Sequence, residues 1–78
     1  MSNKKYHTWM NQLYVGNEHA QVANPYSGES VELEPIEIAV YDFIKGCEAT
    51  GMWDEFDDAI VWFRNKNPSA YMTLLDLL

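Results

Sequence analysis

The chain has little positive charge. Five Lys and Arg residues stand against twelve Asp and Glu residues among 78, which gives a net charge of −7. Binding to the phosphates of DNA or RNA depends on Lys and Arg side chains that displace counterions. We therefore predict that the chain does not bind nucleic acid directly.

Cysteine and histidine are also scarce, since Cys47 is the only cysteine and His7 and His19 are the only histidines. A single cysteine cannot form a disulfide within the chain, and none of these residues has the spacing of a metal site. We predict no metal and no cofactor. At its helical apolar position, Cys47 is interpreted as a small buried hydrophobe.

Long apolar runs are missing as well, because no segment approaches the ~20 residues that a transmembrane helix needs. Residues 1–5 resemble the basic start of a signal peptide, but residues 6–14 are too polar for its apolar part. We therefore expect no contact with a membrane. A cytoplasmic location follows as an expectation, and it is consistent with an unpaired cysteine.

Apolar residues, by contrast, are plentiful: 47% of the chain is hydrophobic, and three residues are tryptophan. Disorder accompanies low hydrophobicity, so a folded chain is expected. The length fits one domain over residues 1–78, in which residues 1–5 are candidates for disorder. Domains this small bury only ~60–65% of their unfolded surface, so self-association is one way to complete the core.

The apolar periodicity predicts a mainly α fold. The expected three-helix core covers about residues 35–48, 54–66 and 68–78. A short N-terminal helix is predicted over residues 4–14. The turn-rich stretch at residues 20–33 predicts a small β-hairpin or a structured loop.

Residues typical of helix ends set the predicted boundaries. Pro35 suits the first position of a helix, and Gly51 suits the left-handed conformation that ends one. Asp54 and Asn67 are the predicted N-caps of the second and third helices.

No motif indicates catalysis. The acidic residues of segment 54–58 lack the interleaved oxygens and central glycine of a calcium loop. They are interpreted as the start of a helix, where negative charge is favourable. Neither His7 nor His19 has the spacing of a nucleophile–base arrangement, so both are read as ordinary histidines. We predict that the chain is not an enzyme.

Several apolar residues fall outside the inner stripes of the predicted helices. A contiguous patch that includes Trp and Tyr would mark an interface. The predicted partner-binding set, with its acidic neighbours, is Ile38, Tyr41, Asp42, Asp58, Val61, Trp62 and Leu77. Two explanations stay open: the N-terminal helix covers these residues, or a second copy does so in a symmetric dimer. The homodimer is slightly favoured over the monomer.

The acidity has its own alternatives. An acidic, aromatic-rich domain can imitate nucleic acid and occupy a basic groove on another protein. The surface for such mimicry would carry Glu34, Glu37, Tyr41, Asp42, Asp58, Val61 and Trp62. The simpler interpretation is that the net charge supports solubility.

Part of the sequence resembles small uncharacterised proteins encoded by tailed bacteriophages. The likeness covers about residues 22–76. It is carried by Val22-Ala23-Asn24-Pro25-Tyr26-Ser27-Gly28-Glu29, by Ser30 to Asp42, by Trp62-Phe63-Arg64 and by Asn67-Pro68-Ser69-Ala70-Tyr71-Met72. The resemblance implies a host-cell cytoplasmic setting and favours an interaction protein.

The sequence therefore predicts a small acidic protein-interaction domain that binds another protein and can self-associate. A purely structural homo-oligomer and an acidic nucleic-acid mimic remain alternatives.

Overall fold

The computed structural model describes residues 9–10, 13 and 15–75, and its architecture is mainly α. The elements are β1 (Ala20–Ala23), β2 (Ser30–Leu33), α1 (Pro35–Thr50), α2 (Trp53–Lys66) and α3 (Pro68–Leu74). The prediction of three helices and a small hairpin is confirmed. Most of the helix predicted at residues 4–14, and the last residues of the third predicted helix, lie outside the described residues.

Helix α1 begins and ends as its sequence predicts. Pro35 occupies the first helical position, and the Glu37 carboxylate accepts a hydrogen bond of 2.9 Å from the backbone N–H of Glu34. The helix ends at Gly51, whose φ of 78° is left-handed and whose N–H donates to the carbonyl of Cys47. α1 therefore continues two residues beyond the predicted end at residue 48.

The prediction that Asp54 caps α2 is wrong. The helix begins at Trp53, the cap position is Met52, and no side chain bonds to the free amides there. The Met52 carbonyl already accepts a 2.9 Å hydrogen bond from the N–H of Phe56. Asp54 consequently lies in the first turn, where it contributes only charge at the positive end of the helix dipole.

The junction between α2 and α3 is tied to the start of α1. Asn67 is the N-cap of α3, as predicted, because its Oδ1 accepts from the N–H of Ala70 at 3.1 Å. Its Nδ2 donates to Glu37 Oε2 at 3.3 Å, and Glu37 is only 4% exposed. Nearby, Lys66 Nζ lies 3.2 Å from Glu34 Oε1. Polar contacts thus connect all three helices at one end of the fold.

The hairpin is fastened to α3 by one buried side chain. β1 and β2 are antiparallel, with Val22 opposite Val31. In the turn between them, Asn24 Oδ1 accepts from the N–H of Tyr26 at 2.7 Å. Asn24 Nδ2 donates to the carbonyl of Thr73 at 2.9 Å. This second contact reaches 49 residues along the chain and holds the hairpin, otherwise weak in isolation, on the helices.

The core lies between the helices and the inner face of β2. Its buried members are Trp9, Leu33, Val40, Tyr41, Ile44, Ala59, Phe63, Ala70 and Leu74. Trp9 also stacks on Phe43 of α1, with ring centroids 4.9 Å apart and planes 11° apart. A residue from before the hairpin therefore contributes to the packing of α1.

Two glycines of this frame should respond oppositely to alanine. Gly46 lies exposed inside α1, and a Cβ there would meet nothing within 4 Å. Gly46→Ala should raise the free energy of unfolding by about 0.5–1 kcal/mol, because glycine loses more backbone entropy in a helix. Gly51→Ala should lower it by about 1–2 kcal/mol, because a Cβ is strained at positive φ. Urea unfolding of both variants checks this, and a shift in the same direction for both would contradict it.

Candidate interaction surface

Three of the apolar residues predicted at a partner surface pack fully or partly within the chain itself. Tyr41 is only 8% exposed, and its ring lies 6.4 Å from that of Phe63 at an angle of 51°. Ile38 and Trp62 pack against the core but keep part of their surface accessible. Leu77 lies outside the described residues.

The other predicted residues, Asp42, Asp58 and Val61, are exposed. Asp58 and Val61 are three residues apart on α2 and so share a face of that helix. Asp42 lies on α1 close to Lys45 in sequence, yet Lys45 Nζ is 3.5 Å from Glu48 Oε1 and 5.9 Å from the Tyr41 ring centroid. Lys45, the basic residue on this part of α1, therefore contacts Glu48 and Tyr41 and not Asp42.

An exposed apolar corner lies where α1 turns into α2. We define the apolar corner as Met52, Trp53 and Phe56. Trp53 is 55% exposed, Met52 is also exposed, and Phe56 is half-buried against the core. The Trp53 and Phe56 rings meet edge to face, with centroids 5.2 Å apart and planes at 80°.

Backbone hydrogen bonds connect this corner to the end of α1. The N–H groups of Gly51 and Met52 both donate to the carbonyl of Cys47, at 2.8 and 3.0 Å. Trp53 follows at once as the first residue of α2. Its indole is therefore presented from a hydrogen-bonded turn, and preorganisation of this kind lowers the entropy cost of binding.

Neither Trp53 nor Met52 is in the partner-binding set that the sequence predicts. One signal was available: a Trp placed two residues after Gly51 stands at the very start of a helix. Side chains of an α-helix lean toward its N-terminus. A first-turn Trp therefore projects beyond the helix, with no preceding turn of that helix to pack on.

The apolar corner lies in a negative environment. Asp54 and Glu55 lie between its residues in the sequence, and Asp57 follows Phe56. None of these three carboxylates forms an ion pair within the part of the chain that the structure describes. The basic side chains of the described segments are engaged elsewhere. Lys45 contacts Glu48, Lys66 contacts Glu34, and Arg64 lies over the Tyr71 ring at 5.9 Å.

A small open groove runs along the first half of α1. Its volume is about 200 Å³, and it is lined by Gly16, Glu18, Pro35, Ile38, Ala39 and Asp42. Ile38 and Asp42 belong to the predicted partner-binding set, so the structure brings these two together. The groove is smaller than the roughly 300–1,000 Å³ of pockets that hold drug-sized ligands.

The segments that the structure describes contain one cysteine and one histidine. Cys47 is 1% exposed, and burial, followed by the nearby Glu55 carboxylate, raises the pKa of its thiol. A thiol in that state is a poor nucleophile. His19 lies on the exposed hairpin, with Nδ1 3.5 Å from Glu32 Oε2. Among residues 9–10, 13 and 15–75, no three His, Cys, Asp or Glu side chains gather as metal ligands.

None of the helices that the structure describes combines the length and the apolarity that a membrane crossing requires. Comparison with protein-family models, curated proteins and solved structures gives no match for this chain.

The exposure and charge of the corner predict how the tryptophans respond to ionic quenchers. Trp53 is the most exposed of the three, and nearby carboxylates attract cations and repel anions. At low ionic strength, the ratio of caesium to iodide quenching should be higher for the protein than for free N-acetyl-tryptophanamide. Trp53→Phe should abolish most of this increase, whereas Trp62→Phe should retain it. A wild-type ratio equal to that of the free compound would contradict a negative corner.

Proposed function

We propose that the chain is a small acidic protein-interaction domain that binds a basic partner protein through the apolar corner. The observation that supports this most is the Trp53 indole, 55% exposed on a hydrogen-bonded turn. Tryptophan is enriched among the residues that dominate binding energy at interfaces. An aromatic side chain fixed in place before binding needs little ordering when the partner arrives.

The charge around the corner selects the kind of partner. Asp54, Glu55 and Asp57 have no ion pair among the described residues, so a basic surface would gain attraction from all three. A symmetric dimer through Trp53 would bring two copies of these carboxylates close together, and like charges oppose that contact. This favours a different protein over a second copy as the occupant of the corner.

The setting of the interaction is part of the same proposal. The resemblance to phage-encoded proteins fits a partner in the cytoplasm of a bacterial host. A basic groove that normally holds nucleic acid is one partner surface with the required charge, and in that case the domain acts as a nucleic-acid mimic. A structural homo-oligomer is the competing function.

Capture from bacterial lysate with paired variants tests the proposal. Trp53→Ala should reduce the yield of captured partner at least about tenfold. A tenfold loss corresponds to roughly 1.4 kcal/mol of binding free energy, and truncation of a central interface residue costs more than this. Tyr26→Ala and Met72→Ala are matched controls, because these side chains are 82% and 61% exposed elsewhere on the surface. Both controls should retain the partner. Binding should also weaken between about 50 and 200 mM salt, because exposed charges are screened.

Three results would contradict the proposal. Trp53→Ala could capture the same protein as the wild type, or the tyrosine and methionine controls could lose it equally. A third is capture of no protein other than the chain itself, combined with a dimer in sedimentation at micromolar concentration. That combination would support the structural homo-oligomer instead. Thermal unfolding of each variant shows whether a lost interaction reflects a lost fold.

A further inference from the structure

We propose that the groove along the first half of α1 receives an arginine side chain of the partner protein. This inference rests on the proposed function in one respect, that the partner is basic. Its evidence is separate, since the groove shares no residue with the apolar corner. The groove specifies arginine, whereas the corner alone specifies only a basic partner.

The size and the apolar part of the groove fit a single long side chain. Its volume of about 200 Å³ is too small for a cofactor but sufficient for one side chain. Pro35, Ile38 and Ala39 provide apolar surface on α1. The methylene stem of an arginine packs well on such a surface while its charged end stays at the polar side.

The charges on the groove select a cation. Glu18 and Asp42 both line it, and neither forms an ion pair within the described residues. A guanidinium group carries five N–H donors in a planar fork that matches carboxylates. An apolar side chain would displace water from the carboxylates without replacing its hydrogen bonds, and an acidic one would be repelled. A neutral amide would donate hydrogen bonds but without the added strength that a positive charge gives them. Lysine fits less well, because its ammonium group is a strongly hydrated point charge.

The position of the groove lets it act together with the corner. Asp42 lies eight residues before the end of α1, or roughly 12 Å along the helix axis. The corner begins just beyond that end. One basic partner can therefore reach both features, and each feature can still be tested without the other.

Nuclear magnetic resonance of the isolated wild-type chain tests the groove directly. The probe is N-acetyl-arginine methylamide, and the matched control is the citrulline derivative, which has nearly the same shape without the charge. We expect saturable shifts at the amides of Gly16, Glu18, Ile38, Ala39 and Asp42, with a dissociation constant of about 1–10 mM for so small a ligand. The citrulline derivative should produce no saturable shift.

Charge-removing variants decide whether the site is specific. Asp42→Asn should weaken arginine binding at least about fivefold, because a charge-assisted hydrogen bond is lost. Glu29→Gln removes an exposed carboxylate on the hairpin, outside both the groove and the apolar corner, and should change binding less than about twofold. If Asp42→Asn alters the fold in its amide spectrum, Glu18→Gln provides the same test. The amide spectrum of each variant is compared with the wild type before titration.

Several outcomes would overturn the inference. Shifts spread over the whole acidic surface, a citrulline derivative that binds as well as the arginine probe, or equal losses in Asp42→Asn and Glu29→Gln would each do so. Failure of the proposed function looks different. In that case Trp53→Ala captures the same partner as the wild type, while arginine binding in the groove persists.

Discussion

The fold depends on one buried carboxylate. Glu37 lies inside the first turn of α1, accepts the backbone N–H of Glu34 and accepts the side-chain amide of Asn67. Because Asn67 also caps α3, the same group fixes the start of one helix and the entry to another. Asn24 then binds the hairpin to α3 through the carbonyl of Thr73. A series of side-chain contacts thus runs from Glu37 at the start of α1 to Asn67 at the start of α3, and from α3 to the hairpin.

This frame explains why the acidity has two roles. Two carboxylates stabilise the fold. Glu37 accepts hydrogen bonds from a backbone N–H and from the Asn67 amide, and Glu34 forms an ion pair with Lys66. The carboxylates around the apolar corner and the groove have no such partners in the described part of the chain. Those of the corner lie on the first turns of α2, and Asp42 of the groove lies midway along α1. The net charge of −7 is therefore partly structural, and we propose that the remainder attracts a basic partner.

The features that sequence could predict are those fixed by a few neighbouring residues. Gly51 and Asn67 were correctly expected to end and begin helices, because their backbone and side-chain chemistry act within one turn. Asp54 was wrongly expected to cap α2, since the tight turn at Gly51 moved the start of the helix forward. The exposure of Trp53 follows in part from its place just after Gly51, but its extent depends on tertiary packing. The approach of Glu18 to α1 depends on tertiary packing alone, and no local pattern reports it.

The contact between Glu37 and Asn67 is the most direct point at which to test this description. A double-mutant cycle with Glu37→Ala, Asn67→Ala and the pair, followed by urea unfolding, measures it. A hydrogen bond to a buried charged group should appear as a coupling of about 1–3 kcal/mol, so that the double variant loses less stability than the two single losses added. Losses that add to within about 0.5 kcal/mol would mean that the two side chains act independently, and would contradict the dependence of the helical frame on Glu37.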